Sequence, residues 1–456
     1  VSLKPDTPET HAQKAIPLGR PARAVCVMAT YFFIAGAILP VWASRIPAVM
    51  QQSGTNTREL GFALLGLGIA AMVAARMGGA ILDRVGLRYA TAPAAVAAAA
   101  ALVLPGAAGS PIQLTLALGT LGASQSFLNV CINTQAARLQ QASGRSRLSI
   151  FHAFVSLGGC TGAIAGVISS HVRLDPLTTF TLVGFTLGLV AASLSGTLRR
   201  ITPRRPETPR RTEATPLRPA SSPAVLFLGG LAFASVLTES AVQDWSALFA
   251  QEAVGAGETF AATVFATFTI AMASGRLMGD RIALLLGRAL LVRVGALTAL
   301  AGFAVALGIA HPAATISGFA LVGLGMSCIF PQILSAVADM DTERVGRNIG
   351  TAVSMGYIGP LVGSPTIGAI ASSSQVGTGL LLPASLVALL ALAAGRLGSR
   401  PRHVTRRSGR RPRFARADRP PSPAHRRSWR RTRDDHVDGD PATQRSTVGP
   451  SGAGSG

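Results

Sequence analysis

Of 456 residues, 49% are hydrophobic and only 14% charged, although the formal net charge is +22. A soluble domain of ordinary composition is excluded, and the balance points to a chain dissolved in lipid. The four cysteines, Cys26, Cys131, Cys160 and Cys328, stand singly in apolar stretches, which excludes a disulfide framework or a thiolate metal cluster.

Residues 1–22 are polar and contain prolines, and they read as a terminal segment. The apolar run Ala24–Ala43 exceeds the ~7–15 residues of a signal-peptide core, so it is expected to stay as a first membrane span. A helix of about 20 apolar residues crosses a bilayer core of ~30 Å. On that criterion Glu59–Gly79, Tyr89–Pro105, Pro111–Ala136, Ile150–His171 and Leu177–Leu198 are the next spans. In the fifth, Gly158, Gly162 and Gly166 recur at intervals of four and lay a flat strip along one side of the helix, suited to close packing. Residues 199–222 mix proline, arginine and threonine without periodicity and cannot build a core, so they read as a linker. Further spans are expected at Ala224–Phe249, Thr259–Gly279, Ala289–Ala310, Pro312–Ala338, Asn348–Ser372 and Val376–Leu397.

The expected fold is therefore an all-α polytopic membrane protein of twelve helices, with bundles at 23–198 and 223–397 joined by the linker 199–222. The stretch 398–456 is rich in arginine, proline, serine and glycine and is expected to be a disordered basic tail, solvated or against anionic lipid. No nucleic-acid-binding fold accompanies its charge, so specific nucleic-acid binding is not expected. Arginines concentrate in alternate connections, which by the positive-inside rule places both termini and the linker in the cytoplasm.

Two stretches repeat. Arg76-Met-Gly-Gly-Ala-Ile-Leu-Asp-Arg-Val-Gly-Leu-Arg88 is echoed by Ser274-Gly-Arg-Leu-Met-Gly-Asp-Arg281, and each follows a tryptophan, Trp42 or Trp245, at a matching place. Such duplication in a membrane chain suggests transporter architecture built from parallel repeats. The pattern Gly79-x-x-x-Asp83-Arg84-x-Gly86-x-Arg88 resembles the cytoplasmic loop signature of the major facilitator superfamily. Trp42–Pro47, Phe151–Gly158, Glu239–Ser246 and Gly356–Pro365 resemble a largely uncharacterised branch of bacterial inner-membrane permeases, similar to the fucose-type sugar permeases. The resemblance implies two pseudo-symmetric six-helix halves with a solute path between them. It also implies that Asp83 caps a helix N-terminus of the opposite half. Where that branch usually has an aspartate on span four, this chain has Asn129. Drug antiporters are the nearest alternative, but Ser156–Gly162 lacks their proline, and no arginine lies between Leu114 and Gln135.

Ionisable residues within spans cost roughly 2.5–3.5 kcal/mol on insertion scales and are functional candidates by default. Glu239, deep in the seventh span, is the leading one: desolvation there would let it bind and release a proton near neutral pH, unless it serves a structural hydrogen bond. Asn129 and Asn133 lie one turn apart, with Gln125 extending the same face. Their amides suit a polar solute such as a sugar, or hydrogen bonds between helices. Arg45 is either a pathway cation for an anionic solute group or an arginine reaching the outer surface. His152 reads as an interfacial residue. Asp83 with Arg84 and Arg88, and Asp280 with Arg276 and Arg281, read as cytoplasmic latches. Asp244 and Trp245 read as an outer gate or an indole anchor at the membrane surface.

No phosphate-binding loop, metal-ligand cluster or nucleophile with a base is found, so an enzyme, a metal and a cofactor are not expected. The expected function is secondary transport of a small polar solute, coupled to a proton, by a monomer in the inner membrane among lipids. Drug efflux stands second. A receptor or scaffold that binds without translocating is the alternative of another class.

Overall fold

The computed structural model describes residues 20–143, 148–202, 222–340 and 345–397, and the side chain of Asp280 is not among what it describes. The tail 398–456, the first 19 residues and most of the expected linker thus lie outside the described residues.

Among the described residues the chain is helical, with no strand. The long helices are α1 (Arg20–Ser44), α2 (Thr57–Val85), α3 (Leu87–Gly106), α4 (Pro111–Ser143), α5 (Leu148–His171), α6 (Pro176–Ser193), α7 (Pro223–Val254), α8 (Glu258–Leu286), α9 (Arg288–Gly308), α10 (Pro312–Ala338), α11 (Val345–Ser373) and α12 (Val376–Leu397). Short helices Ile46–Ser53 and Ser195–Ile201 follow α1 and α6. Eleven of the long helices are apolar and long enough to cross a membrane, and α11 is the exception. Its 29 residues include Pro360, Pro365 and many glycines and serines, which dilute its apolar content without shortening it.

Helix starts follow local chemistry. Asn56 and Glu59 form a reciprocal capping box at the head of α2, each accepting the other's backbone N–H at 2.9 Å. Asp175, before Pro176, accepts from Thr178 N at 2.9 Å and opens α6. Helices α2 and α8 run past their expected ends at Gly79 and Gly279 to Val85 and Leu286. The following turns shrink to single residues, Gly86 at φ 82° and Gly287 at φ 74°. A side chain at such a φ costs roughly 1–2 kcal/mol, so glycine at both sites permits the tight reversal. Gly78 and Gly79, expected on that turn, lie inside α2 instead.

Packing relies on small residues. A Cβ added at Gly158, Gly162 or Gly166 of α5 would run into the Phe33 carbonyl, the Ala37 carbonyl or the Ser44 hydroxyl of α1. The expected strip therefore packs directly against α1, where close approach gives dispersion contact that lipid cannot replace.

Helices α1–α6 pack chiefly on one another through α1 with α5 and α4 with α2 and α3, and helices α7–α12 do so through α7 with α11 and α10 with α8 and α9. The two groups meet where α2 lies along α11 and α5 along α8. Connections alternate between the ends of the bundle. Arg84, Arg88, Arg199, Arg281 and Arg288 mark an arginine-rich end, and the α1–α2, α5–α6 and α7–α8 connections mark the arginine-poor end.

Candidate functional site

Glu239 lies at the middle of α7, and α8 supplies its partner. Arg276 Nη2 donates to Glu239 Oε1 at 2.8 Å and to Oε2 at 2.9 Å. Gln243, one turn on, donates from Nε2 to Oε1 at 3.3 Å. The guanidinium is oriented from behind, because its Nε donates to the Ser327 carbonyl of α10 at 3.4 Å. Both charged side chains keep access to the surroundings, 21% for Glu239 and 39% for Arg276. Glu239, expected as a desolvated proton-binding carboxyl or a structural hydrogen-bonding one, is half of an ion pair. Arg276, expected in a latch with Asp280, reaches Glu239, and the Asp280 side chain lies outside what is described.

Across from this pair, α5 brings His152 close enough to Arg276 to feel its charge, and Phe32 of α1 packs edge-on against the imidazole with centroids 5.9 Å apart. The pair thus sits on the side of α7 and α8 that faces the first six helices. His152, expected as an interfacial residue, thus lies within the electrostatic reach of Arg276.

The arginine-poor end is closed by contacts between the two groups. Arg45, 1% exposed, places Nη1 3.0 Å from Glu258 Oε1 at the start of α8. Its Nη2 donates to the Leu174 carbonyl at 2.6 Å. Burial pushes the Arg45 guanidinium down from its ordinary value, while Glu258 and then Asp175 act to hold it up. Ser170 and Thr259 hydroxyls lie 3.2 Å apart across the same seam. On the α2–α11 side, a Cβ at Gly61 would stand 3.0 Å from the Ser364 carbonyl, and one at Gly368 would stand 3.2 Å from the Trp245 ring.

Trp245 is fully buried, as is Trp42, so neither is an indole at the membrane surface. The reason is the glycine opposite: Gly368 leaves a space that the Trp245 ring fills. Asp244 accepts from the Ser364 hydroxyl at 2.7 Å, which ties α7 to α11 just behind this seam.

The amide face of α4 divides. Gln125 is buried and donates to the Ala35 carbonyl of α1 at 2.5 Å, a bond between helices. Asn129 and Asn133 are exposed, and Asn133 Nδ2 donates to the Asn129 carbonyl at 2.8 Å. At the arginine-rich end Asp83, Arg84 and Arg281 are exposed, and Asp83 has a bonding partner of its own. Arg88 lies over the Tyr89 ring, its Cζ 5.8 Å from the centroid. Sequence reading missed Glu258, Ser364, Ser170 and Thr259; Glu258 carried a signal, as a carboxylate at a helix start.

The sequence model of the Major Facilitator Superfamily matches residues 22–364 and 245–437. The chain belongs to this superfamily. It is a multi-pass membrane transporter and not an enzyme. It is 32% identical over 365 residues to an uncharacterised MFS-type transporter of Yersinia pestis, covering 80% of this chain and 93% of that one. Among solved structures it resembles a point mutant of the nucleoside transporter NupG, with TM-score 0.65 at 13% identity, over 82% of this chain and 100% of that one. It also resembles a D-xylose–proton symporter, with TM-score 0.62 at 13% identity, over 82% and 97% of the two chains. At those identities the structural likeness speaks for the fold.

Proposed function

We propose that this transporter moves a small polar solute, of sugar-like character, through a path between its first and last six helices by alternating access, and that a proton drives it. The observation that carries this reading is the Glu239–Arg276 pair. It is a charged pair within membrane-spanning helices, partly accessible, and opposed by His152 across the seam while the arginine-poor end is sealed by Arg45 and Glu258. Charge held inside a membrane protein is costly and commonly marks a substrate or ion pathway. A D-xylose–proton symporter shares this fold, so the fold accommodates a solute of this class and proton coupling.

In this reading the arginine-rich end faces the cytoplasm across the inner membrane, in line with the positive-inside rule. The sealed arginine-poor end then makes the conformation inward-facing. Release of the Glu239 carboxylate from its partners frees the Arg276 guanidinium and the Gln243 amide to hold solute oxygens. Parting of Arg45 from Glu258 opens the opposite side, as α5 and α8 separate. Asp83 with Arg84 and Arg88, and Asp280 with Arg281, hold the cytoplasmic side in the alternate state.

The test is uptake of labelled sugars and other small polar solutes into vesicles with and without an imposed pH gradient, for the parent chain and for Glu239→Gln. Gradient-driven accumulation in the parent, lost in Glu239→Gln while counterflow exchange persists, is the expected result. Accumulation that persists unchanged in Glu239→Gln removes Glu239 from the coupling, and binding without counterflow removes translocation.

A further inference from the structure

An open groove of about 440 Å³ runs between α3 and α6, away from the Glu239 site. Its floor is small and apolar, with Pro93, Val96, Ala97 and Ala100 on the exposed face of α3 and Ala192 opposite. Helices α3 and α6 pack chiefly on each other, on α4 and on α1, so this face looks outward to the bilayer rather than into the path. At its arginine-rich end the groove stops at Ser195 and Arg199.

The chemistry changes abruptly there. Arg199 and Arg88 flank one phenol ring, with Cζ atoms 5.4 Å and 5.8 Å from the Tyr89 centroid. Neither guanidinium makes an ion pair with a carboxylate among the described residues. Arg88 Nε is moreover buried with no hydrogen-bond partner. Two cations converge on one spot at the membrane surface, and an apolar channel leads from that spot into the hydrocarbon. From Tyr89 to Ala97 the helix rises about 12 Å, the depth over which lipid changes from headgroup to chain.

We propose that this groove is a binding site for an anionic glycerophospholipid of the adjacent leaflet, with its phosphate between Arg88 and Arg199 and one acyl chain along Pro93, Ala97 and Ala100. Charge complementarity selects the headgroup: a zwitterionic lipid brings its own cation to the two arginines, whereas an anionic one does not. Small side chains leave room for a chain, and a phenylalanine at position 97 would obstruct it. Tyr89 holds both guanidiniums by its ring face, which keeps their donors free for phosphate oxygens. The inference concerns a site apart from the solute path and does not depend on the identity of the solute.

The experiment is native mass spectrometry of the delipidated full-length chain titrated with phosphatidylglycerol, phosphatidylcholine or inorganic phosphate. Comparisons are Arg88→Gln with Arg199→Gln, the same pair changed to Lys, and Ala97→Phe. In the parent, phosphatidylglycerol should bind at least about tenfold more tightly than phosphatidylcholine, and inorganic phosphate at equal concentration should not displace it. The double Gln variant should lose about tenfold of that affinity, the Lys variant should recover most of it, and Ala97→Phe should lose it with both arginines intact. The basic stretch after Gly398 is the same in all variants, so these losses report on the groove. Equal binding of the two lipids by the parent, displacement by inorganic phosphate, or parent-like affinity in either the double Gln variant or Ala97→Phe overturns the proposal.

Discussion

Arg45 and Glu258 meet at 3.0 Å across the boundary between the first six and the last six helices, at the end of the bundle poorest in arginine. The arginine is almost wholly enclosed, whereas the glutamate keeps 35% of its side-chain surface accessible. The pair is therefore intermediate between a surface bridge and a buried one, and about 1–2 kcal/mol is a reasonable scale for it. Glu258→Gln should shift the balance toward opening of that end by roughly five- to thirtyfold. Spin labels on α5 and α8 would read the change as a longer distance between them; an unchanged distance distribution would deny the pair any gating role.

The hydroxyls of Ser170 and Thr259, 3.2 Å apart on the same seam, allow a complementary lock. In a background free of the native cysteines, Ser170→Cys with Thr259→Cys should oxidise readily and arrest solute exchange, with recovery on reduction. Exchange that continues through the crosslink would contradict movement at this seam.

Inside the membrane, removing one partner of the Glu239–Arg276 pair should cost more than removing both. Arg276→Gln leaves a carboxylate to be accommodated in the span, a burden of roughly 2.5–3.5 kcal/mol on insertion scales. The double variant Glu239→Gln with Arg276→Gln should melt closer to the parent than Arg276→Gln alone does. Additive losses of thermal stability in detergent would show the two side chains to be uncoupled.

Asp175 offers a pH readout outside the spans. Its carboxyl is held below the usual aspartate range first by the Thr178 hydroxyl, at 2.6 Å, and then by the Thr178 backbone N–H. A depressed carboxyl contributes stability that is present above its unfolded value, about 3.9, and is lost as pH falls through its folded value. Asp175→Ala should lower stability by about 1 kcal/mol at neutral pH through loss of the cap. The gap between parent and variant should narrow below about pH 4, and thermal melts across the acid range would check it. A gap that widens in acid would contradict the assignment.

Substitution should separate tight glycines from open ones. Gly162→Leu forces α1 and α5 apart, because even a Cβ there meets the Ala37 backbone, whereas Gly196→Ala meets nothing within 4 Å. Overpacking costs typically ~1–3 kcal/mol, so the first variant should lose yield and melting temperature while the second stays near the parent.

The helices and their order were legible because a bilayer imposes length and apolarity on each span. The α5 glycine strip was legible because a spacing of four keeps residues on one face, and Gly158, Gly162 and Gly166 do contact α1. Partnerships were not. Glu239 stood out as a charge inside a span, but its partner lies 37 positions away on another helix. Which arginine reaches it depends on how α7 and α8 lie together. Arg276 sits in a motif that reads naturally as surface chemistry, which concealed its inward reach. The anchor alternative for Trp245 failed for a similar reason: tryptophan favours membrane surfaces, and only the facing Gly368 shows that the ring is enclosed. Gln125 shares the sequence periodicity of Asn129, yet the nearness of α1 turns it into a bond between helices.

The most direct measurement is thiol labelling of Gln243→Cys, beside Glu239, in a cysteine-free background and in sealed vesicles of known orientation. With a membrane-impermeant maleimide, the parent should label from the arginine-rich side and resist labelling from the other. Adding Glu258→Gln should raise labelling from the arginine-poor side by about tenfold. Labelling from the arginine-poor side that is already fast in the parent, or that ignores Glu258→Gln, would contradict a central path closed by Arg45 and Glu258.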